Sequence, residues 1–216
     1  MFPKVIEGVR YELFTMAHAE GVTKVITEAF TKYEPMTVEQ NIPEEAFIHF
    51  FQKLLPKAEA EGLTTVAIDE ASGEVVGAMV SDDIGEPPPC DFEDIHEGFG
   101  PIFTLLEKLD NWYLENRPEP KPGEYAHFFM IGTLVGYKTR NIGFHLLDLA
   151  VANAKARGYK YGLAEVTGRI SQHLFINRCG FVRHHEIFYR DYEFNGQRVF
   201  ASISDHPSSM LVARDL

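Results

Sequence analysis

The sequence predicts an α/β fold, and three observations carry that prediction. Between Met130 and Gly158 an apolar, partly β-branched run (Ile131 to Val135) passes through a basic, polar turn into Leu146, Leu147, Leu149, Ala150, Val151 and Ala154. These are apolar at helical spacing, and Gly158 ends the run as a C-cap would. On both sides of this strand–loop–helix unit, segments alternating with period two are interleaved with segments of helical period. The 216 residues, 45% apolar and 24% charged, suffice for a buried core in one large domain or two small ones.

Taken in order, Val9 to Thr15 alternates and reads as a first strand. Glu20 to Tyr33 carries Val22, Val25, Ile26, Ala29 and Phe30 at helical spacing. Glu34-Pro35 stops that helix, because the residue before a proline is pushed out of the helical region. Pro43 to Glu61 is a second helix that Pro56 kinks or splits. Leu63 to Ile68 and Val75 to Ser81 are strands joined by a Ser72-Gly73 turn. Residues 82–123 form an insertion bracketed by Pro87-Pro88-Pro89-Cys90 and Glu119-Pro120-Lys121-Pro122-Gly123. Within it, Pro101 to Asn116 is an amphipathic helix rich in aromatics, either a cover over a binding site or a packing helix. After the central unit, Tyr161 to Val166 reads as a strand and Gly168 to Asn177 as a helix. Gly180-Phe181 then opens an alternating strand through Tyr192, in which His184 and His185 fall on opposite faces. Asn195-Gly196 is a turn signal, and either Val199 to Ile203 or Ser209 to Ala213 is the last strand of the sheet.

A formal charge of −12 argues against nucleic acid or an anionic membrane as partner and is compatible with a cationic small substrate. No apolar run reaches membrane-spanning length, and the N-terminus lacks the apolar core of a signal peptide, so the expected compartment is the cytoplasm. Two cysteines, Cys90 and Cys179, make neither a disulfide framework nor a metal cluster. Nine histidines show no metal-ligand spacing, so no metal is expected.

The central unit has the form of a phosphate cradle. The first amides of a helix have no internal partner and carry partial positive charge, and a glycine there lets an anion approach the backbone. An ordinary βα connection has the same form. Val135-Gly136-Tyr137-Lys138-Thr139-Arg140-Asn141-Ile142-Gly143-Phe144-His145 resembles motif A of the GNAT acetyltransferases, whose core is Arg/Gln-x-x-Gly-x-Gly/Ala. Arg140 and Gly143 match it, Asn141 stands where glycine is usual, and His145 replaces the last Gly/Ala. Leu174-Phe175-Ile176-Asn177-Arg178-Cys179-Gly180-Phe181 is similar to the family's Leu-Tyr-Glu-Lys-x-Gly-Phe segment. Within the superfamily the chain resembles the insect-type arylalkylamine N-acetyltransferases in four features. These are Glu34-Pro35, the insertion before the central strand, Glu165 to Ser171, and the tail with Tyr189, Tyr192 and Asp205-His206-Pro207. The resemblance implies a single domain over 1–216, with a mixed central sheet, a splayed central strand and helices on both faces. It also implies acetyl-CoA as cosubstrate, held by Leu134, Val135, Arg140, Asn141, Ile142, Gly143, Phe144, His145 and Phe175.

Acetyl transfer to an amine needs a base, an oxyanion donor and a proton for the leaving thiolate. The resemblance assigns the base to Glu34, which is otherwise a surface glutamate at a helix end. It assigns the oxyanion donor to a backbone N–H of the splayed strand near Leu134 and Val135. The widespread tyrosine proton donor falls at Phe175, which has no hydroxyl, so the resemblance to the insect-type enzymes turns to Thr167 and Ser171. Ser171 can equally be a local cap. His127 is a further candidate proton relay or a packed strand histidine, and Glu165 reads as structural. The expected function is N-acetylation of a small primary amine, arylalkylamine-like, by direct transfer in a monomer or homodimer. The alternative is a catalytically degenerate domain of the same fold that binds acyl-CoA or a protein partner.

Overall fold

The computed structural model describes residues 2–88, 94–115 and 117–216, apart from the side chains of Lys138 and Thr139. Pro89, Cys90 and Asn116 of the sequence reading lie outside the described residues. Two adjacent positive φ angles, 49° at Glu7 and 73° at Gly8, make the tight turn between β1 (Lys4–Ile6) and β2 (Val9–Leu13). β1 has no counterpart in the sequence reading: three residues are too few to show a period.

β3 (Thr65–Asp69) and β4 (Val75–Asp83) form the next hairpin, followed by β5 (Tyr125–Thr133), β6 (Tyr161–Val166), β7 (Val182–Phe188) and β8 (Ser208–Asp215). The sheet order is β1-β2-β3-β4-β5-β6-β8-β7, and only β5 and β6 run parallel. The last main-sheet strand is thus the Ser209 to Ala213 candidate. Val199 to Ile203 is irregular, and its Phe200 is buried against Tyr189 and Tyr192.

One face of the sheet carries α1 (Ala19–Tyr33), α2 (Pro35–Glu39), α3 (Glu44–Gln52), α4 (Leu55–Glu61) and the insertion helix α5 (Phe99–Leu114). Its core includes Ile26, Phe47, Phe51, Leu105, Leu109 and Leu211. The second face carries α6 (Ile142–Ala156), whose Leu146, Leu147 and Ala150 pack on Ala67, Met79 and Phe128. The helix expected over Pro43 to Glu61 is split into α3 and α4 at Lys53-Leu54, with Pro56 in the first turn of α4. Among the described residues no helix is long and apolar enough to cross a membrane, and no group of three His, Cys, Asp or Glu side chains could hold a metal ion.

Two bulges matter for the site. Val80 pairs with Met130 but Ser81 with Phe128, so Phe129 is the extra residue of a bulge in β5. The bulge turns consecutive side chains, Phe129 and Met130, toward the α1–α5 face. A second register shift, at Arg183/His185, overturns the expectation for the histidine pair. Both rings meet α5, His185 stacked on Trp112 at 4.5 Å and His184 edge-on to Tyr113 at 5.0 Å.

β5 and β6 pair only over Tyr125–Tyr161, Ala126–Gly162 and His127–Leu163, and then part. Past that point the sheet is open between its two central strands.

Candidate active site

Around this opening lies a cavity of about 340 Å³, walled by the ends of β5 and β6, the α1–α2 junction, α5 and the start of α6. Six of the residues singled out in the sequence line it together: Glu34, Val135, Gly143, Thr167, Ser171 and Phe175. Its deep wall is aromatic, with Phe47, Phe50, Phe99, Phe103 and Phe129.

Glu34 is positioned by its neighbour. Pro35 forces it into extended backbone (φ −78°, ψ 122°), which ends α1 and makes it the N-cap of α2, with Pro35 in the first turn. Its Oε1 accepts from the Met36 amide at 3.2 Å and its Oε2 from the Thr37 amide at 2.6 Å. Each oxygen keeps a second lone pair.

The central strand ends earlier than the sequence suggests, at Thr133 rather than Val135. The Leu134 amide donates to Val76 O at 2.9 Å, and a 3-10 turn, Val135–Arg140, follows. Leu134 therefore is not a free oxyanion donor. Alternation in an antiparallel ladder sets the amides of Gly132 and Met130 toward β4 with it, and those of Ile131 and Thr133 toward the opening.

The loop before α6 departs from the family pattern in ways the geometry explains. Asn141 has φ 50°, a left-handed conformation that asparagine adopts most readily after glycine. The first helical bond of α6 is His145 N to Asn141 O at 3.1 Å, so the amides of Ile142, Gly143 and Phe144 precede the ladder. A Cβ on Gly143 would meet nothing nearer than 3.8 Å. The His145 ring packs edge-on to Tyr11 of β2 at 5.8 Å, away from the cavity, and the Ile142 side chain is core. Arg140 is tied at 2.9 Å to Asp69, whose other oxygen accepts from the Ala71 and Ser72 amides of the β3–β4 turn. Phe144 lies under the guanidinium of Arg178 at 4.6 Å.

At the end of β6, Ser171 Oγ donates to Gly168 O at 2.9 Å and accepts from Gly168 N at 3.3 Å, a local bracket at the start of α7 (Arg169–Gln172). Thr167 O accepts from the buried Tyr189 hydroxyl at 2.7 Å. α7 continues into a π-turn, His173–Arg178, that buries Phe175 against Phe181.

Five further polar residues belong to this region. His206 lines the cavity, and its Nδ1 accepts from Arg169 N at 3.1 Å, which leaves Nε2 to carry the proton of the neutral ring. Behind the cavity, His127 bonds Asp82 at 2.9 Å and Glu165 at 2.8 Å. Burial disfavours the charged ring, but the Glu165 charge and the hydrogen bonds to Asp82 and Glu165 outweigh it and hold His127 well above the usual histidine range. Asp110 of α5 hydrogen-bonds Glu165, and burial together with the Glu165 charge pushes its carboxyl up to about 10. Glu165 would itself be raised by burial, but His127 and the bond from Asp110 hold it low. One proton between the two carboxyls, held by Asp110, satisfies both. The signal for Asp110 was present in the sequence: it lies four residues after Leu106, on the apolar stripe of α5.

Trp112 does not reach the cavity and is 47% exposed. The insertion covers the site through Phe99, Ile102, Phe103 and Leu106 instead.

No protein-family model and no curated protein sequence matches the chain. Its structure is similar to the C-terminal condensation domain of Ebony, solved with beta-alanyl-dopamine (TM-score 0.86, 15% identity, 96% of this chain and 99% of that one). It is also similar to arylalkylamine N-acetyltransferase 2 from Aedes aegypti (TM-score 0.75, 18% identity, 97% and 99% covered). A third similar structure is the Drosophila melanogaster polyamine N-acetyltransferase that forms N-acetylagmatine (TM-score 0.73, 20% identity, 96% and 100% covered). The eight-stranded mixed sheet opened between β5 and β6, with helices on both faces, is the GNAT fold that this chain shares with them.

Proposed function

We propose that the protein is an acetyl-CoA-dependent N-acetyltransferase acting on a small primary amine with an apolar or aromatic body. The observation that carries this reading is the cavity itself: a carboxylate, an aromatic wall and a strand opening with unpaired amides share one space. The similarity to an arylalkylamine N-acetyltransferase and a polyamine N-acetyltransferase supports the same class.

In this reading acetyl-CoA supplies an acetyl thioester. The amides at the start of α6 hold its diphosphate, and Gly143 leaves room for it beside the backbone. The Ile131 and Thr133 amides face the opening and stabilise negative charge on the acyl oxygen. Glu34, fixed by two amides, takes the proton of the acceptor ammonium through a free lone pair, directly or through water. The acceptor's body lies on Phe47, Phe50 and Phe103, and its nitrogen faces the thioester. Ser171 reaches the leaving sulfur only by releasing Gly168 O, so Thr167 shares the role of proton donor.

A second reading rests on one observation. With Arg140 tied to Asp69, the loop's matched cation is partly neutralised, which favours a domain that binds acyl-CoA or a protein partner without turnover. Two measurements separate the readings. Ligand at about a hundred times its Kd stabilises by about 2.7 kcal/mol, and at this size each kcal/mol raises Tm by roughly 2–4 °C. Acetyl-CoA should therefore raise Tm by several degrees, and an amine panel should release free CoA. A shift without release selects the binding domain, and no shift at millimolar acetyl-CoA removes the acetyltransferase.

A further inference from the structure

A buried polar row runs beneath the acceptor cavity and has no part in the mechanism above. Asp82 on β4, His127 on β5 and Glu165 on β6 are adjacent across three strands, joined through the two ring nitrogens of His127 at 2.9 and 2.8 Å. The Glu165 side chain is only 3% exposed and lines the acceptor cavity, and apart from the proton held by Asp110 its Oε1 meets no hydrogen-bond donor among the described residues. At the other end Asp82 is 31% exposed and lines a second cavity of about 590 Å³, together with Lys57, Glu107, Asp110 and His127. Phe50, Phe103 and Phe129 line both cavities. The row therefore connects two spaces that an aromatic partition otherwise keeps apart.

An anchor for α5 would need only the contact between Asp110 and Glu165. A histidine bonded at both nitrogens to carboxylates, one facing each cavity, adds a path. We propose that Glu165, His127 and Asp82 form a proton exit, passing the proton released by the acceptor ammonium from the acceptor cavity to the second cavity. The proposal rests on the acetyltransferase reading. In each turnover the ammonium loses one proton before the N–C bond forms. The C–S bond then breaks, and the second nitrogen proton goes to the thiolate, so one proton must leave the site. Glu34 gives it up to the cavity, and Glu165 takes it on Oε1 while the imidazolium of His127 gives its Nδ1 proton to Asp82; the ring, turned over, then takes the Glu165 proton on its bared nitrogen. Asp82 releases it to water beside Lys57, and every group regains its starting charge.

The groups facing His127 are Asp82 from β4, Glu165 from β6 and Asp110 from α5, with Lys57 of α4 on the far side of Asp82 at 3.5 Å. Asp110 and Lys57 are positioning residues, since neither lies in the row itself.

The test uses His127→Ala and Asp82→Asn, assayed beside the wild-type enzyme for CoA release. His127→Ala should lower kcat by at least about tenfold, the lower end of proton-transfer effects, with both KM values within about twofold. Added imidazole should restore much of the rate, and kcat of the variant should rise with buffer concentration. Asp82→Asn, at a partly exposed side chain, should show the same buffer dependence even if His127→Ala does not fold. A folded His127→Ala at wild-type kcat overturns the exit path while leaving the acetyltransferase reading intact. So does a loss that neither imidazole nor buffer relieves. A wild-type enzyme that releases no CoA with any amine removes both.

Discussion

Glu34 is both a helix cap and the proposed base, and the two roles separate in one variant. Glu34→Gln keeps an acceptor for one of the two α2 amides, so the lost cap bond costs about 1 kcal/mol, a Tm decrease of roughly 2–4 °C. Loss of the base should lower kcat/KM by at least about tenfold near neutral pH and abolish the acidic limb of the pH–rate profile, with acetyl-CoA affinity unchanged. Retained activity with the same acidic limb would leave Glu34 as a cap alone. Asp110 gives a second residue-scale expectation, in stability. Between its ordinary value of 3.8 and its folded value of about 10, the native state holds a proton that the unfolded chain has lost. Its contribution is present below about 4 and is lost as pH rises toward about 10. Asp110→Asn keeps a donor to Glu165 without titrating. Wild-type Tm should therefore fall more steeply than that of the variant from pH 6 to about 9, a range set by the linkage. Parallel curves would contradict the shared proton. The Glu34 turn was legible in the sequence because a proline dictates the backbone before it. The Asp82–His127–Glu165 row was not, because its members lie 45 and 38 residues apart and meet only through strand register.

At the scale of elements, the loop–helix unit and the insertion each make a claim. Gly143 has no positive φ, and its Cβ direction is clear to 3.8 Å, so Gly143→Val should fold and place a branched side chain on the path proposed for the donor. Acetyl-CoA affinity should fall by about tenfold, or 1.4 kcal/mol, while the amine KM stays within about twofold. An unchanged affinity in a folded variant would remove the donor from this loop. For the insertion, Leu106→Ala should raise the amine KM several-fold more than the acetyl-CoA KM, and Trp112→Ala should change neither. Equal effects of Leu106→Ala on both would make α5 a packing helix. The helical period located α5 correctly but not its orientation, since the stripe that faces inward depends on what the sheet offers. The bulges decide that: Phe129 turns a second aromatic into the cavity, and the shift at His184 brings both histidines under α5. An extra residue in one strand leaves no mark in the periodicity of that strand alone. The end of β5 was misplaced for a related reason. Leu134 and Val135 are apolar like the strand before them, and only the loss of a ladder partner after Val76 stops it.

For the whole molecule, the sheet sets the chemistry by where it fails to pair. β5 and β6 hold together over three residue pairs and then separate, so the sheet's own amides become available at its centre. The α1–α5 layer covers one side of that gap with aromatics, and α6 with the π-turn covers the other. In the proposed reaction donor and acceptor approach from opposite faces of this arrangement and must be present together. Initial rates of CoA release, with acetyl-CoA and a 2-arylethylamine varied together, test that claim most directly. The account predicts intersecting double-reciprocal lines and a one-to-one yield of acetylamide and CoA. Parallel lines with an acetylated protein, or CoA release that does not depend on the amine, would contradict it.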